Sequence, residues 1–245
     1  MPKSTLTAAV IRTVNRRTVS LSLAALAIEW LAGCATPRMA PPADVADGAK
    51  VLEVDKRSQA SGLFVNEGFQ LGSYQVADVN RDWKKTSSGQ IAGLKGSYTT
   101  NGYQYRLKQG EKTMTGECAA SALEKSMKAF GGEIGDARNK LSCECRAGSE
   151  YATAEMKGTD MDALSGDLKT PSAAYALKPV TKTDRKVMSM GPVGYRVDGG
   201  DGPRGAVETL FPGRVWLTPR VQPSEEMGLV CVMTGLMLYQ DPASP

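Results

Sequence analysis

From Gly62 onward the chain alternates apolar and polar residues in short runs broken by glycine. Tyr103, Tyr105 and Leu107 alternate with Gln104, Arg106 and Lys108; after Gln109-Gly110, Met114, Gly116 and Cys118 alternate with Thr115 and Glu117. Period-two patterning on both sides of a glycine turn predicts a β-hairpin, because successive strand side chains point to opposite faces. Leu141-Ser-Cys-Glu-Cys-Arg146 repeats the pattern, placing Leu141, Cys143 and Cys145 on one face. Ala174–Leu177, Val193–Val197, Ala206–Leu210 and Arg214–Leu217 are further strand candidates. Many short strands separated by turns predict a mainly β domain, an antiparallel sandwich or barrel. Ala119–Phe130 breaks the pattern: Ala122, Met127 and Phe130 fall roughly on one helical side, which predicts a surface helix.

The C-terminal segment differs in kind. Pro223-Ser-Glu-Glu226 has the features of a helix start, with Ser224 as the capping residue and two acids in the first turn. Met227 to Tyr239 then carries no charge. A helix apolar on every side must be buried. From Ser224 to Tyr239 it would be about 24 Å long, too short to span a bilayer and long enough to cross a small domain. Gly228 and Gly235, seven apart, share a face, and each costs about 1 kcal/mol in helix propensity. Close approach of another chain segment would account for them. The alternative is a buried strand at Leu229–Met233.

The other end of the chain is apolar for a different reason. Met1 to Arg17 holds Lys3, Arg12, Arg16 and Arg17; Leu21–Ile28 is a brief apolar run; Leu31-Ala-Gly-Cys34 closes the segment. A basic start and a short apolar stretch describe a secretory leader, not a membrane-spanning helix. Glu29, inside the apolar segment, is the one feature that fits it poorly. Ala35 to about Ser61 contains Pro37, Pro41 and Pro42 with little apolar periodicity, which predicts a flexible tether. The alternative is an arm that packs on the domain. The predicted organisation is therefore a leader at 1–33, a modified N-terminus and tether at 34–61, and one β-rich domain at 62–245.

The tetrapeptide Leu31-Ala32-Gly33-Cys34 resembles the lipobox of bacterial lipoproteins. The resemblance implies that the Cys34 thiol receives a diacylglyceryl group, that a dedicated peptidase cuts before Cys34, and that the new amino group is acylated. Two or three acyl chains anchor stably where one holds only marginally. The residue after the cysteine is Ala35, not the aspartate associated with inner-membrane retention. The resemblance thus implies the outer membrane, facing the periplasm, with the membrane itself as the partner. A strand-rich domain closed by an apolar C-terminal helix is also similar, in architecture only, to the barrels of the tubby C-terminal and LURP-one type. No motif of that family matches residue by residue, so no binding residue is carried over.

Charge and composition narrow the chemistry. Outside the leader's four cations and one acid, the chain carries 30 − 4 = 26 basic and 26 − 1 = 25 acidic residues. That balance gives no electrostatic case for nucleic acid. The absence of histidine removes Ser-His-Asp and Cys-His catalysis and His-ligated zinc, leaving carboxylate, Ser-Lys or tyrosine chemistry open. No cofactor is expected. Export to an oxidising compartment makes disulfides plausible among Cys118, Cys143, Cys145 and Cys231, with the thiol state of Cys145 and Cys231 left open. Cys143 and Cys145 point the same way along one strand and should find other partners. Cys118–Cys143 is the favoured pair, with Cys231 a buried thiol or the partner of Cys145. A redox or metal role for Cys143-Glu-Cys145 is the minor alternative. Asp198-Gly-Gly-Asp-Gly202 lacks the full oxygen-ligand spacing of a calcium loop and predicts a polar hairpin turn. Arg81-Asp-Trp-Lys-Lys85 predicts a solvated turn with its tryptophan packed. Together these readings favour a non-catalytic envelope module. Carriage of a hydrophobic ligand and a histidine-free hydrolase are the competing classes.

Overall fold

Alternation of the kind seen at Tyr103–Leu107 runs through most of the chain, and it builds a single sheet of thirteen antiparallel strands. The computed structural model describes residues 36–57, 67–91, 94–129, 132–159, 163–185, 189 and 191–242. The chain divides into Met1–Pro37 and Arg38–Pro245, and every element described here lies in the second unit. A short helix α1 (Ala43–Ala46) precedes β1 (Lys50–Asp55), β2 (Phe69–Leu71), β3 (Tyr74–Arg81), β4 (Lys85–Ile91), β5 (Leu94–Gln109) and β6 (Lys112–Ala129). Then follow β7 (Gly132–Ala147), β8 (Glu150–Thr159), β9 (Ser165–Lys169), β10 (Ala174–Val180), β11 (Gly194–Gly199), β12 (Gly202–Glu208), β13 (Arg214–Leu217) and α2 (Pro223–Leu238).

Neighbouring strands pair in the order β3-β2-β1-β13-β12-β11-β10-β9-β8-β7-β6-β5, and β3 pairs with β5 to close a twelve-stranded barrel. β4 is the extra strand, paired to the far end of β5. An eight-stranded barrel is filled by its own side chains, and interior width grows with strand number. Twelve strands leave room for a helix about 10 Å across, and α2 occupies it. Met227 to Leu238 are all buried, and side chains of β5, β7, β8 and β10 meet the helix from different sides. This explains a helix with no polar face: the surrounding wall takes the place of water on every side.

Both helix ends are matched chemically. Pro223 occupies the first turn, where its missing N–H costs nothing, and Glu225 and Glu226 face the positive end of the helix dipole. Gln222 is the N-terminal boundary residue and makes no side-chain cap, so the expectation that Ser224 caps the helix is corrected: Pro223 starts the helix one residue earlier. At the other end Arg81 Nη1 donates to Leu238 O (2.9 Å) and Arg57 Nη2 to Met237 O (2.9 Å). Those carbonyls have no partner within the helix, and cations favour that end. Arg81 is itself held by a two-point bond to Glu67.

Three further expectations are corrected. Ala119–Ala129 is not a surface helix but the second half of β6, in continuous register with β5 and β7. Two flanking strands offer every backbone group a partner, and that outweighs the helix propensity of Ala, Leu, Glu and Lys. Phe130, the last residue of the predicted helix, lies outside the described residues. The tether expected over 34–61 is not free along its length. Met39 and Val45 are buried against Val180, Val193, Ala206 and Trp216 on the outside of the barrel, and β1 sits between β13 and β2. The domain therefore begins at Arg38 rather than Gly62. Trp83, expected to pack, is 79% exposed.

The antiparallel order sorts the connections between two ends. At the end where α2 begins they are brief: 72–73, 110–111, 148–149, 170–173, 200–201 and 218–222. The end where α2 terminates receives 82–84 and 209–213, together with residues 56–57, 67–68, 163–164, 181–185 and 191–193. β4 and the distal parts of β5, β6 and β7 also run past this end: β7 joins β8 only from Arg138 onward.

Candidate functional site

Two clusters organise the molecule, one inside the barrel and one on its outer wall. The inner cluster is built from the hairpin β5–β6 and the strand β7. Register places Tyr103 opposite Cys118, Tyr105 opposite Gly116 and Cys118 opposite Cys143. Cys118 and Cys143 are disulfide-bonded across the two strands, their Cα atoms 4.1 Å apart. Cys145, one step along the same face, is bonded to Cys231 of α2, which stitches the central helix to the wall. Tyr105 hydroxyl donates to Cys231 O (2.7 Å) and Tyr103 hydroxyl to Gly235 O (2.7 Å). Tyr105 Oη also lies 3.8 Å from both Cys145 Sγ and Cys231 Sγ. Burial pushes both phenol groups well above their ordinary range, so they stay protonated and serve as donors.

Glycine makes this cluster fit. A Cβ at Gly235 would stand 2.8 Å from Cys118 Sγ, 2.9 Å from Tyr105 Oη and 3.2 Å from Cys143 Sγ. One at Gly228 would stand 3.1 Å from Ala152 Cβ. The close approach that the two helix glycines imply is therefore to side chains, the Cys118–Cys143 disulfide and Ala152. Gly116 leaves the space taken by the Tyr105 ring, whose nearest atom would be 2.2 Å from a Cβ there.

The outer cluster fastens the N-terminal arm. Glu208 ends β12 with its side chain fully buried. It accepts from Arg38 Nε and Nη2 (3.1 and 2.7 Å), from Arg214 Nε (2.9 Å) and from Met39 N–H (2.6 Å). Burial pushes its carboxyl up, but the bonds from Arg38, Arg214 and Met39 outweigh that and hold it below the ordinary carboxylate range. Arg38 and Asp184 also exchange bonds through Arg38 N–H to Asp184 Oδ1 (3.1 Å) and Asp184 N–H to Arg38 O (2.9 Å). Arg214 stacks on Trp216, 4.8 Å from its ring centre. Nothing in the period-two pattern marks Arg38 as a fastening point. The available signal is Glu208 itself, a carboxylate in the strand-like run Ala206–Leu210.

The remaining polar candidates are structural. Asp198 binds Arg196 and Lys178, and Asp201 binds Arg204, so the carboxylates of the Asp198–Gly202 turn are occupied by cations. Among the described residues no three Asp, Glu or Cys side chains are grouped so as to hold a metal ion. Glu225 accepts from Ser172 and Tyr175, and Glu226 from Tyr74 and Lys50, which ties the start of α2 to the wall. The interior where a carried lipid would sit is occupied by α2. Leu31, Ala32, Gly33 and Cys34 lie outside the described residues. No family model, curated protein or solved structure matches this chain.

Proposed function

We propose that the chain is a lipid-anchored envelope lipoprotein whose barrel acts as a non-catalytic binding or structural module, held by acyl chains on Cys34. The observation that supports this most strongly is cysteine arithmetic. The chain has five cysteines, and Cys118, Cys143, Cys145 and Cys231 are all consumed by two disulfides. Cys34 is therefore left without a cysteine partner in the chain, at the last position of Leu31-Ala-Gly-Cys34. Two structural disulfides suit an exported protein. A folded unit that begins at Arg38 suits cleavage just before Cys34.

In the same reading Ala35 favours the outer membrane and a periplasmic aspect. A barrel filled by its own helix favours a module that works through its outer surface rather than an internal carrier. The test is fractionation of the full chain and its Cys34→Ala variant in a diderm bacterium. The wild-type chain should sediment with outer membrane, and the variant should become soluble or stall as precursor. Unchanged membrane attachment of the variant would defeat the anchor.

A further inference from the structure

We propose that β4 pairs edge to edge with β4 of a second copy of this chain, making a symmetric dimer through one continuous sheet. Each of the other twelve strands has a neighbour on both sides. β4 is hydrogen-bonded to β5 alone, over seven unbroken pairs from Lys85↔Thr100 to Ile91↔Leu94. Among the described residues no strand pairs with its other side, and Lys85 to Gly89 are all exposed. A row of unpaired N–H and C=O groups is a template for another strand. Such edges are usually blunted by proline, a bulge or repeated charge. β4 reads Lys-Thr-Ser-Ser-Gly-Gln-Ile, with no proline, no register shift and one charge, at its first residue. It lies along β5 beyond the last β3–β5 pair, Arg81↔Tyr103, so its free edge stands clear of the closed barrel.

What the edge offers argues for a second copy as the occupant. A foreign peptide that adds a strand is selected by pockets for its alternate side chains. Thr86-Ser-Ser-Gly89 is too short in the side chain to build pockets, and a Cβ at Gly89 would meet nothing within 4 Å. The edge therefore supplies main-chain bonds with little side-chain selection, and a strand of equal length in matching register uses it best. Only a two-fold axis through Ser88 overlaps all seven residues. It sets Ser88 opposite Ser88, Ser87 opposite Gly89, Thr86 opposite Gln90 and Lys85 opposite Ile91, so no like charges meet. Tyr98 adds an apolar contribution. It is 48% exposed and sits opposite Ser87 on the same face. In the pair its ring can lean over Ser87 toward Gly89 of the second copy, where no side chain stands in the way. A contact between identical patches of this kind closes at two chains. It carries the sheet β7-β6-β5-β4 into its copy.

Cross-linking at single positions of β4 tests the pairing. The full chain is expressed in a diderm bacterium, purified in detergent and oxidised with copper–phenanthroline. Ser88→Cys places two thiols at directly opposed positions, with Cα atoms about 4.5–5.5 Å apart and within disulfide reach. Thr86→Cys places them about 14 Å apart, beyond that reach. The expected result is a covalent band at twice the chain mass for Ser88→Cys, in about five-fold or more the yield given by Thr86→Cys. Ser88→Lys sets like charges opposite each other and should give single chains in native mass spectrometry where the parent gives pairs. Mixing it with Ser88→Glu should restore the pairs. Ser88 is exposed, so these variants keep the fold. Equal yields from the two cysteine variants, a parent that is a single chain, or a Ser88→Cys adduct with a different protein would each overturn the proposal.

Discussion

Cys145 of β7 is bonded to Cys231 of α2, so the wall of the barrel and the helix inside it are one covalent unit. The two disulfides close loops of different size, with sequence separations of 86 for Cys145–Cys231 and 25 for Cys118–Cys143. In the loop-entropy account these stabilise by about 4.5 and 3.5 kcal/mol respectively. A Cys145→Ala/Cys231→Ala double variant should therefore unfold at lower urea than Cys118→Ala/Cys143→Ala, and both well below the parent. Equal midpoints for all three proteins would mean that neither bond constrains the unfolded chain.

Gly235→Ala sets two effects against each other. The helix gains about 1 kcal/mol in propensity. The new methyl meets the Cys118–Cys143 bridge and Tyr105 at under 3.0 Å, and overpacking of a core costs about 1–3 kcal/mol. The bridge is held by two paired strands and has little freedom to yield, so net destabilisation is expected in chemical denaturation. Gly116→Ala should cost more, because it displaces the Tyr105 ring and with it the bond to Cys231 O.

Glu208→Ala strands Arg38, Arg214 and the Met39 N–H around a buried gap. Removing one partner of a buried ion pair costs on the order of 3 kcal/mol. The arm should also loosen, so trypsin should cut after Arg38 much faster than in the parent at equal folded fraction. An unchanged cleavage rate would show that the arm is held by Met39 and Val45 alone.

Stability should be flat across neutral pH and fall on both sides. Burial alone would push Glu208, Glu225 and Glu226 up, but their hydrogen bonds and cations hold all three below the ordinary carboxylate value. A depressed carboxyl contributes stability above the unfolded value, about 4.3, that is lost as pH falls through the folded value. On the alkaline side, burial first and a neighbouring carboxylate second push Tyr175 and Tyr195 up to about 12. A raised phenol contributes stability below about 10 that is lost as pH rises through the folded value. With no histidine, Tm from calorimetry should hold steady between pH ~5 and ~9. A steep change near pH 6.5 would contradict this.

The barrel was legible where one face of a strand is buried and the other wet. Tyr103, Tyr105 and Leu107, and then Leu141, Cys143 and Cys145, alternate because their neighbours point into solvent, and that alternation also placed the cysteines near one another. α2 was legible for the opposite reason, since only a surrounding wall makes a wholly apolar helix stable. What stayed hidden depends on contacts far apart in sequence. Ala119–Ala129 has the composition of a helix and becomes a strand because β5 and β7 flank it. Leu52 and Val54 carry the period-two signal of β1, but the prolines upstream mask it. The fastening of Arg38 to Glu208 spans 170 residues and leaves no local pattern.

The mass of the mature N-terminal peptide tests the account most directly. The chain should begin at Cys34 with a diacylglyceryl thioether on its sulfur and an acyl group on its amine, giving a peptide that partitions into detergent. A mature N-terminus at any other residue, or a Cys34 sulfur carrying no lipid, would contradict it.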